Sequence, residues 1–447
     1  MKIVLYAVDR ILILTFLVYV LLGNMPRLLT INGLPSSVNV VELILVLAGF
    51  LVLSLRLRRF LSIGKILFLF VSLYFCFTIV NGVMSYGYNI VAIAYAVRLA
   101  SYIMVGFTLG VTLAYVFDGE NNSFVNYFIS VSVVCALLGL IILYFFPDST
   151  VLWKMLSSQG IGFSGDPHQN RLIGLFLDPN YYSSILAFPF LLSFYIYIVH
   201  RKIIYLGSSL FIFLTIFLSG SRSGIACAIL PIIGFATYNV CDAFWTHKVK
   251  RSFLIFSLLS FIVTMAAFFI YGDRINDIYN RTMGVSDPSS SQNRIDSFNI
   301  GLDLIRDRPF IGYGYNFSYS KLENLKGNSS LDSSIQMLVL SFGIPAASVL
   351  FFAIAYMLAL IANKRNAGYF NGSYLQEASI IYIIYFIVIL LFATNVNNIL
   401  LYPHWLIIYA AFGSYFFAAY RIKKRGSNRM LRIQNQRFVV SRELQGS

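Results

Sequence analysis

Charge is what this sequence has least of: Asp, Glu, Lys and Arg make up 11% of its 447 residues, where a soluble domain carries about 25%. So few charges cannot solvate a globular surface of this size. With 58% of residues hydrophobic, lipid must cover much of the chain. Histidine and cysteine are scarce too, at four residues each. Cys76, Cys135, Cys227 and Cys241 all fall in apolar stretches without metal-ligand spacing, which speaks against a zinc site or a disulfide framework. Tryptophan is limited to 3 residues, against 41 Phe and 30 Tyr. Many of these rings fall near predicted helix ends, where aromatic belts sit. The chain has no nucleotide-binding loop, His-Glu-x-x-His or Gly-x-Ser-x-Gly, so ATP-driven and metalloprotease chemistry lack support, and no cofactor is implied.

What is there is a series of spanning-length apolar runs, at about 10–23, 38–55, 62–80, 91–116, 124–146, 172–199, 203–219, 223–241, 253–271, 334–362, 376–394 and 400–420. No internal repeat relates them. The net charge of +15 is not a nucleic-acid signal, because the basic residues cluster in short loops and in the tail. Arg56, Arg58, Arg59 and Lys65 lie in one loop, Arg201 and Lys202 in another. Lys248, Lys250 and Arg251 lie in a third, Lys364 and Arg365 in a fourth. With about twelve spans, all of these, Lys2 and the tail from Arg421 fall on one side, which is the cytoplasmic side. The first apolar run lacks a small-residue cleavage site and reads as a retained helix. The expectation is an all-α polytopic membrane protein with about twelve transmembrane helices and both termini inside.

Its outer side then carries two long segments, 147–171 and 272–333. In the second, Ile295, Phe298, Leu302 and Ile305 fall on one helical face, with Ser289–Ser291 as caps and Pro309 as a stop. That predicts an amphipathic helix on the membrane surface or on the bundle, followed by a tight aromatic turn at Gly312-Tyr313-Gly314-Tyr315.

Several polar residues have positions that invite chemistry, each with a plainer reading beside it. Arg98 lies inside a predicted span, as a functional charge or as a salt-bridged Arg near the outer interface. Arg222, in Ser219-Gly220-Ser221-Arg222-Ser223-Gly224, suits a phosphate if the backbone amides converge there, or simply closes a hairpin. Arg171 precedes Gly174, Asp178, Pro179 and Asn180, where an Asp-Pro-Asn break in an apolar run lines a cavity or makes a structural kink. Arg294, Arg306 and Arg308 lie on or just past the outer helix, interleaved with Asp296, Asp303 and Asp307 that neutralise a solvated face. Asp332, just before the run 334–362, is a proton acceptor or an N-cap with Ser333 and Ser334. His168 and His404 are the outer-side histidines.

The order of these pieces resembles the O-antigen ligase and polymerase superfamily of membrane glycosyltransferases. Arg171-Leu172-Ile173-Gly174-Leu175-Phe176-Leu177-Asp178-Pro179-Asn180 is similar to the family's Arg-x-x-Gly-x-Phe-x-x-Pro-Asn, and Leu218-Ser219-Gly220-Ser221-Arg222-Ser223-Gly224 to its Ser-Arg-x-Gly turn. Arg294 followed by Asp307-Arg308-Pro309-Phe310-Ile311-Gly312-Tyr313-Gly314 is like its outer-loop Arg and Pro-x-x-Gly-x-Gly. Asp332-Ser333, with Gly343 eleven residues on, stands in the frame where ligases have His-Asn and a later Gly. The Asp at the His position is more like the polymerases.

The resemblance implies a bacterial inner-membrane enzyme acting on polyprenyl-diphosphate-linked glycans at the periplasmic face. Arg171, Arg222 and Arg294 would clamp the departing diphosphate, with Arg98 a further clamp, and Asp332 would be the general base. Asp178, Asn180, Arg308 and His404 would help hold the substrate, and Tyr313, Tyr315 and Tyr319 would stack on sugars or anchor the interface. Residues 1–271 would hold helices 1–9 with periplasmic segment 147–171, 272–333 the periplasmic loop, 334–420 helices 10–12 and 421–447 a basic cytoplasmic tail. Its partners would be the lipid-linked donor and acceptor, membrane lipid and a chain-length regulator, but no nucleic acid. A ligase with His168 or His404 as base, and a flippase for the same lipids, are the competing readings. The lack of related halves speaks against the flippase, and a non-catalytic scaffold leaves the four segments unexplained.

Overall fold

A computed structural model describes residues 2–25, 40–55, 76–117, 123–158, 168, 170–246, 288–315, 317, 331, 333–366, 374–390 and 402–419. Among them the regular structure is helical: α1 Lys2–Leu22, α2 Val40–Leu55, α3 Cys76–Tyr86, α4 Ile90–Val116, α5 Ser123–Phe145, α6 Ser149–Ser158, α7 Pro179–His200, α8 Ile203–Leu218, α9 Arg222–Thr246, α10 Pro288–Asp307, α11 Ser334–Asn366, α12 Tyr374–Val388 and α13 at 403–419. Among the described residues four stretches are long and apolar enough to cross a membrane: Ala92–Val116, Ser123–Phe145, Pro179–His200 and Ser334–Asn363. The expected span 253–271 and the tail 421–447 lie outside the described residues.

α7 is the axis of the bundle. It is apolar around its whole circumference and correspondingly buried, as a helix without a polar face must be. α5, α8, α9 and α12 pack against it. Phe188, at its middle, meets Phe128, Tyr385 and Phe412 with centroid separations of 6.0, 5.5 and 4.9 Å. α11 is the opposite case. Val349, Phe352 and Tyr356 are exposed along it, an apolar flank that suits lipid better than water.

The expected helix at 172–199 does not start where its apolar run starts. Residues Gly174–Phe176 form a 3₁₀ turn, Leu177 adopts a left-handed conformation (φ 60°), and α7 begins only at Pro179. The Asp178 carboxylate caps it, Oδ1 accepting from the backbone N–H of Asn180 at 2.7 Å and of Tyr181 at 3.0 Å.

The outer helix also differs from expectation. Pro288 begins α10, so Ser289–Ser291 lie inside its first turns instead of capping it. Its buried line is Ser297, Gly301 and Leu304; of the predicted apolar face, Ile295 and Phe298 are exposed, while Leu302 and Ile305 are half-buried. The reason is close approach. A Cβ on Gly301 would meet the Gln336 carboxamide of α11, whose Nε2 donates to Phe298 O at 2.9 Å.

Arg98 in α4 is paired with Glu42 at the start of α2: Nε–Oε1 is 2.7 Å and Nη2–Oε2 2.9 Å, and the Tyr102 hydroxyl joins the same carboxylate. Removing one partner strands the other charge in a poorly solvated site. Glu42→Gln should therefore cost about 3 kcal/mol, and Glu42→Gln with Arg98→Gln less than Glu42→Gln alone. Thermal midpoints of the detergent-solubilised variants check this, and a double variant weaker than the single would remove the pair from the account.

Candidate active site

Two sequence segments separated by some forty residues meet in front of α7. The N–H of Leu172 donates to Leu218 O at the end of α8 (3.1 Å), pinning the extended piece after Arg171 to the α8–α9 turn. Arg171 then bends over that turn. Its Nε donates to Ser219 O at 2.9 Å and Nη2 to Gly220 O at 3.4 Å, while Nη1 lies 3.4 Å from His168 Nδ1.

Asn180, on the first turn of α7, closes the other side: its Oδ1 accepts from Ser221 Oγ at 2.8 Å. Ser221 Oγ also accepts the N–H of Gly224 at 3.1 Å and lies 3.1 Å from Ser223 Oγ. Gly224 lets α9 lie directly on α7, since a Cβ there would overlap the Ser183 hydroxyl. Arg222 is the first residue of α9, and it is exposed. The guanidinium of Arg171 and the amide end of α9, which the exposed Arg222 begins, thus share one turn. Helix N-termini and guanidinium forks both favour anions, and together they suit a phosphate or diphosphate.

Asp178 and Asn180 stand in this group through the cap and the Ser221 bond. The turn is also wider than the sequence motifs. Ser183 of α7, against Gly224, belongs to it as well, and no motif marked that residue.

A second group forms where the chain leaves α10. The Pro309–Tyr313 turn lies along α11: Tyr313 N–H donates to Leu340 O at 2.6 Å, Gly314 N–H to Ser341 O at 2.9 Å, and Ile344 N–H to Pro309 O at 2.7 Å. α11 is broken at the contact, Gly343 having φ 79° and ψ 163°. From α3, Asn81 Nδ2 donates to Ile311 O at 3.0 Å. Arg308 reaches Ser85 Oγ at 2.8 Å and lies over the rings of Tyr86 and Tyr313, at 5.8 and 5.1 Å.

The Tyr313 hydroxyl donates to Asp307 Oδ2 at 2.5 Å; burial, then the Asp307 carboxylate, push its phenol above the ordinary tyrosine range. Tyr313 and Tyr315 are 1% and 8% exposed, with Tyr315 stacked on Phe342, so both rings face protein. Asn81 and Ser85, just past the apolar run 62–80, carry no motif and so were not legible in the sequence.

Two further expected site residues, Arg98 and His404, are engaged by other parts of the chain. Arg98 is held by Glu42, as described above. His404 is buried, with Nε2 on Gly23 O at 2.9 Å. Asp332 and the side chain of Arg294 lie outside the described residues. At the start of α11 the capping bond is made by Ser333, whose Oγ accepts from Gln336 N–H at 3.2 Å.

Residues 207–351 match the protein-family model described as O-Antigen ligase. The match takes in the Ser219–Gly224 turn, α10, the Pro309–Gly314 turn and Gly343, and begins after the Arg171 segment. No curated protein matches the chain.

Proposed function

With an O-antigen ligase-family domain at residues 207–351 as the premise, which supports the O-antigen ligase/polymerase superfamily, we propose that this chain polymerises polyprenyl-diphosphate-linked oligosaccharide repeat units at the outer face of the bacterial inner membrane. The observation that carries the proposal is the junction of Arg171, Asn180 and the Ser219–Gly224 turn beside Arg222. A membrane enzyme of this superfamily needs an anion clamp at a membrane boundary, and this turn has the chemistry of one.

In the proposed reaction an acceptor hydroxyl attacks the anomeric carbon from the face opposite the lipid diphosphate. The carbon–oxygen bond to the diphosphate breaks and its electron pair leaves with that group, while the hydroxyl proton passes to a base. Charge builds on the departing oxygens, where preorganised cations help most. Arg171 and Arg222 take this role, with Arg294 as a further clamp and Asp332 as the base. Arg98, already bound by a carboxylate, serves α2–α4 packing. Twelve spans with both termini inside, and the division at 271, 333 and 420, belong to the same proposal, as does contact with a chain-length regulator.

The description of the matched family favours a second reading, a ligase moving glycan to lipid A core. His168, beside Arg171, would be its base. Surface polysaccharide from a deletion strain separates the cases. A single-repeat ladder means polymerase, bare core means ligase, and internal accumulation of lipid-linked units means flippase. Complementation with Asp332→Asn should slow polymerisation about 10²–10⁴-fold, read as turnover of lipid-linked repeat units. Near-wild-type turnover would take the base away from Asp332.

A further inference from the structure

The break in front of α7 must keep its shape for Arg171 and Asn180 to meet the α8–α9 turn, and it is held from the distant ends of the chain. Gly23 and Asn24 follow α1, and His404 lies in the first turn of α13. The backbone N–H of Asn24 donates to Leu175 O at 2.9 Å, and its Nδ2 donates to Phe176 O at 2.7 Å. Those carbonyls belong to a 3₁₀ turn that ends in left-handed Leu177, so α7 does not continue from them. Buried carbonyls need donors.

His404 fixes Asn24 in turn. Its Nε2 lies 2.9 Å from Gly23 O, and since a carbonyl only accepts, Nε2 carries the proton. The ring is stacked on Tyr19 at 3.9 Å with planes 1° apart, and Phe176 meets it edge-on at 5.2 Å. Asn24 is 5% exposed, His404 2% and Phe176 0%, so a substrate would not reach them.

We infer that Asn24 and His404 are positioning residues: they latch the Gly174–Leu177 turn and thereby set where the Arg171 guanidinium stands over Ser219 and Gly220. The inference rests on the reading of Arg171 as a diphosphate clamp. It moves His404 from substrate ligand to support. Displacing a catalytic cation by about 1 Å costs on the order of 10²-fold in rate.

The test uses the full chain in detergent and equilibrium binding of a fluorescent polyprenyl diphosphate. Asn24→Ala weakens binding about 10-fold, and Asn24→Ala with Arg171→Ala binds no more weakly than Arg171→Ala alone. Unchanged binding in the single variant, or losses that add in the double, overturns the latch, because a residue that merely supports the bundle does not act through Arg171. Amide hydrogen exchange supplies a readout independent of ligand: residues 172–178 exchange faster in Asn24→Ala while the α9 amides and the thermal midpoint hold. If the wild-type chain does not bind polyprenyl diphosphate, the clamp reading fails, and the exchange pattern alone decides the latch. Should Asn24→Ala fail to insert, His404→Phe keeps a ring at the Tyr19 stack and loses the bond to Gly23 O. Unaltered exchange at 172–178 in that variant rejects the proposal.

Discussion

Cells carrying Arg222→Ala as their sole copy will show single repeat units on the acceptor and no long chains. The expectation follows from where charge appears during the reaction. A diphosphate bound in the ground state already has negative charge, but breaking the bond to the sugar places more on the bridging oxygen. Removing a single preorganised donor aimed at such an oxygen costs about 10²–10³ in rate. A guanidinium at the amide end of α9 contributes both fork and charge, so the loss should fall at or above that range. Arg222→Lys keeps the charge without the bidentate fork and should leave short chains. Gel electrophoresis of surface polysaccharide reads all three strains. A correctly inserted Arg222→Ala protein with chains of normal length would end the clamp proposal.

Gly343→Ala should be nearly as damaging for a different reason. Gly343 has φ 79° and ψ 163°, a conformation essentially reserved for glycine, and forcing another residue into it costs about 1–3 kcal/mol. A Cβ there would also run into the Phe310 carbonyl, just where Ile344 N–H bonds to Pro309 O. The variant must straighten α11 or release the Pro309–Gly314 turn, and either movement shifts the start of α11 that follows Asp332. The expected result is a protein that reaches the membrane, is cleaved faster by protease between 308 and 314, and makes few or no long chains. Gly207→Ala is the matched control: a Cβ at Gly207, on α8, meets nothing within 4 Å, so its ladder should equal wild type. Normal proteolysis and chain length in Gly343→Ala would show that the broken helix is not needed for the outer turn.

Some features are readable in residue order and others are not. Asp178-Pro179-Asn180 announced a helix break, because proline and a capping carboxylate act on their own neighbours, and the break is there. The Ser219–Gly224 turn was readable for the same reason. The buried face of α10 was not. Ile295 and Phe298 make an apolar stripe by period, but the helix packs through Ser297, Gly301 and Leu304, since only there can α11 come close. Ser289–Ser291 had the chemistry of caps, yet Pro288 begins the helix ahead of them.

Arg98 illustrates the limit for charges. An Arg within an apolar run says that a partner or a function is nearby, and Glu42 lies fifty-six residues earlier, beyond the reach of any local pattern. His404 was noticed as a rare titratable group, but its bond to Gly23 spans 381 residues, and nothing in the local sequence at either end announces it.

Composition and hydropathy by themselves determined the membrane environment, the helical class and the local breaks, because these depend on transfer of each segment from water and on bonds between near neighbours. Which arginine meets which turn, which face of a helix is buried and which backbone carbonyl a histidine reaches were decided only by tertiary packing. Those outcomes depend on the separation of side chains far apart in the chain, and a separation in space has no counterpart in residue order.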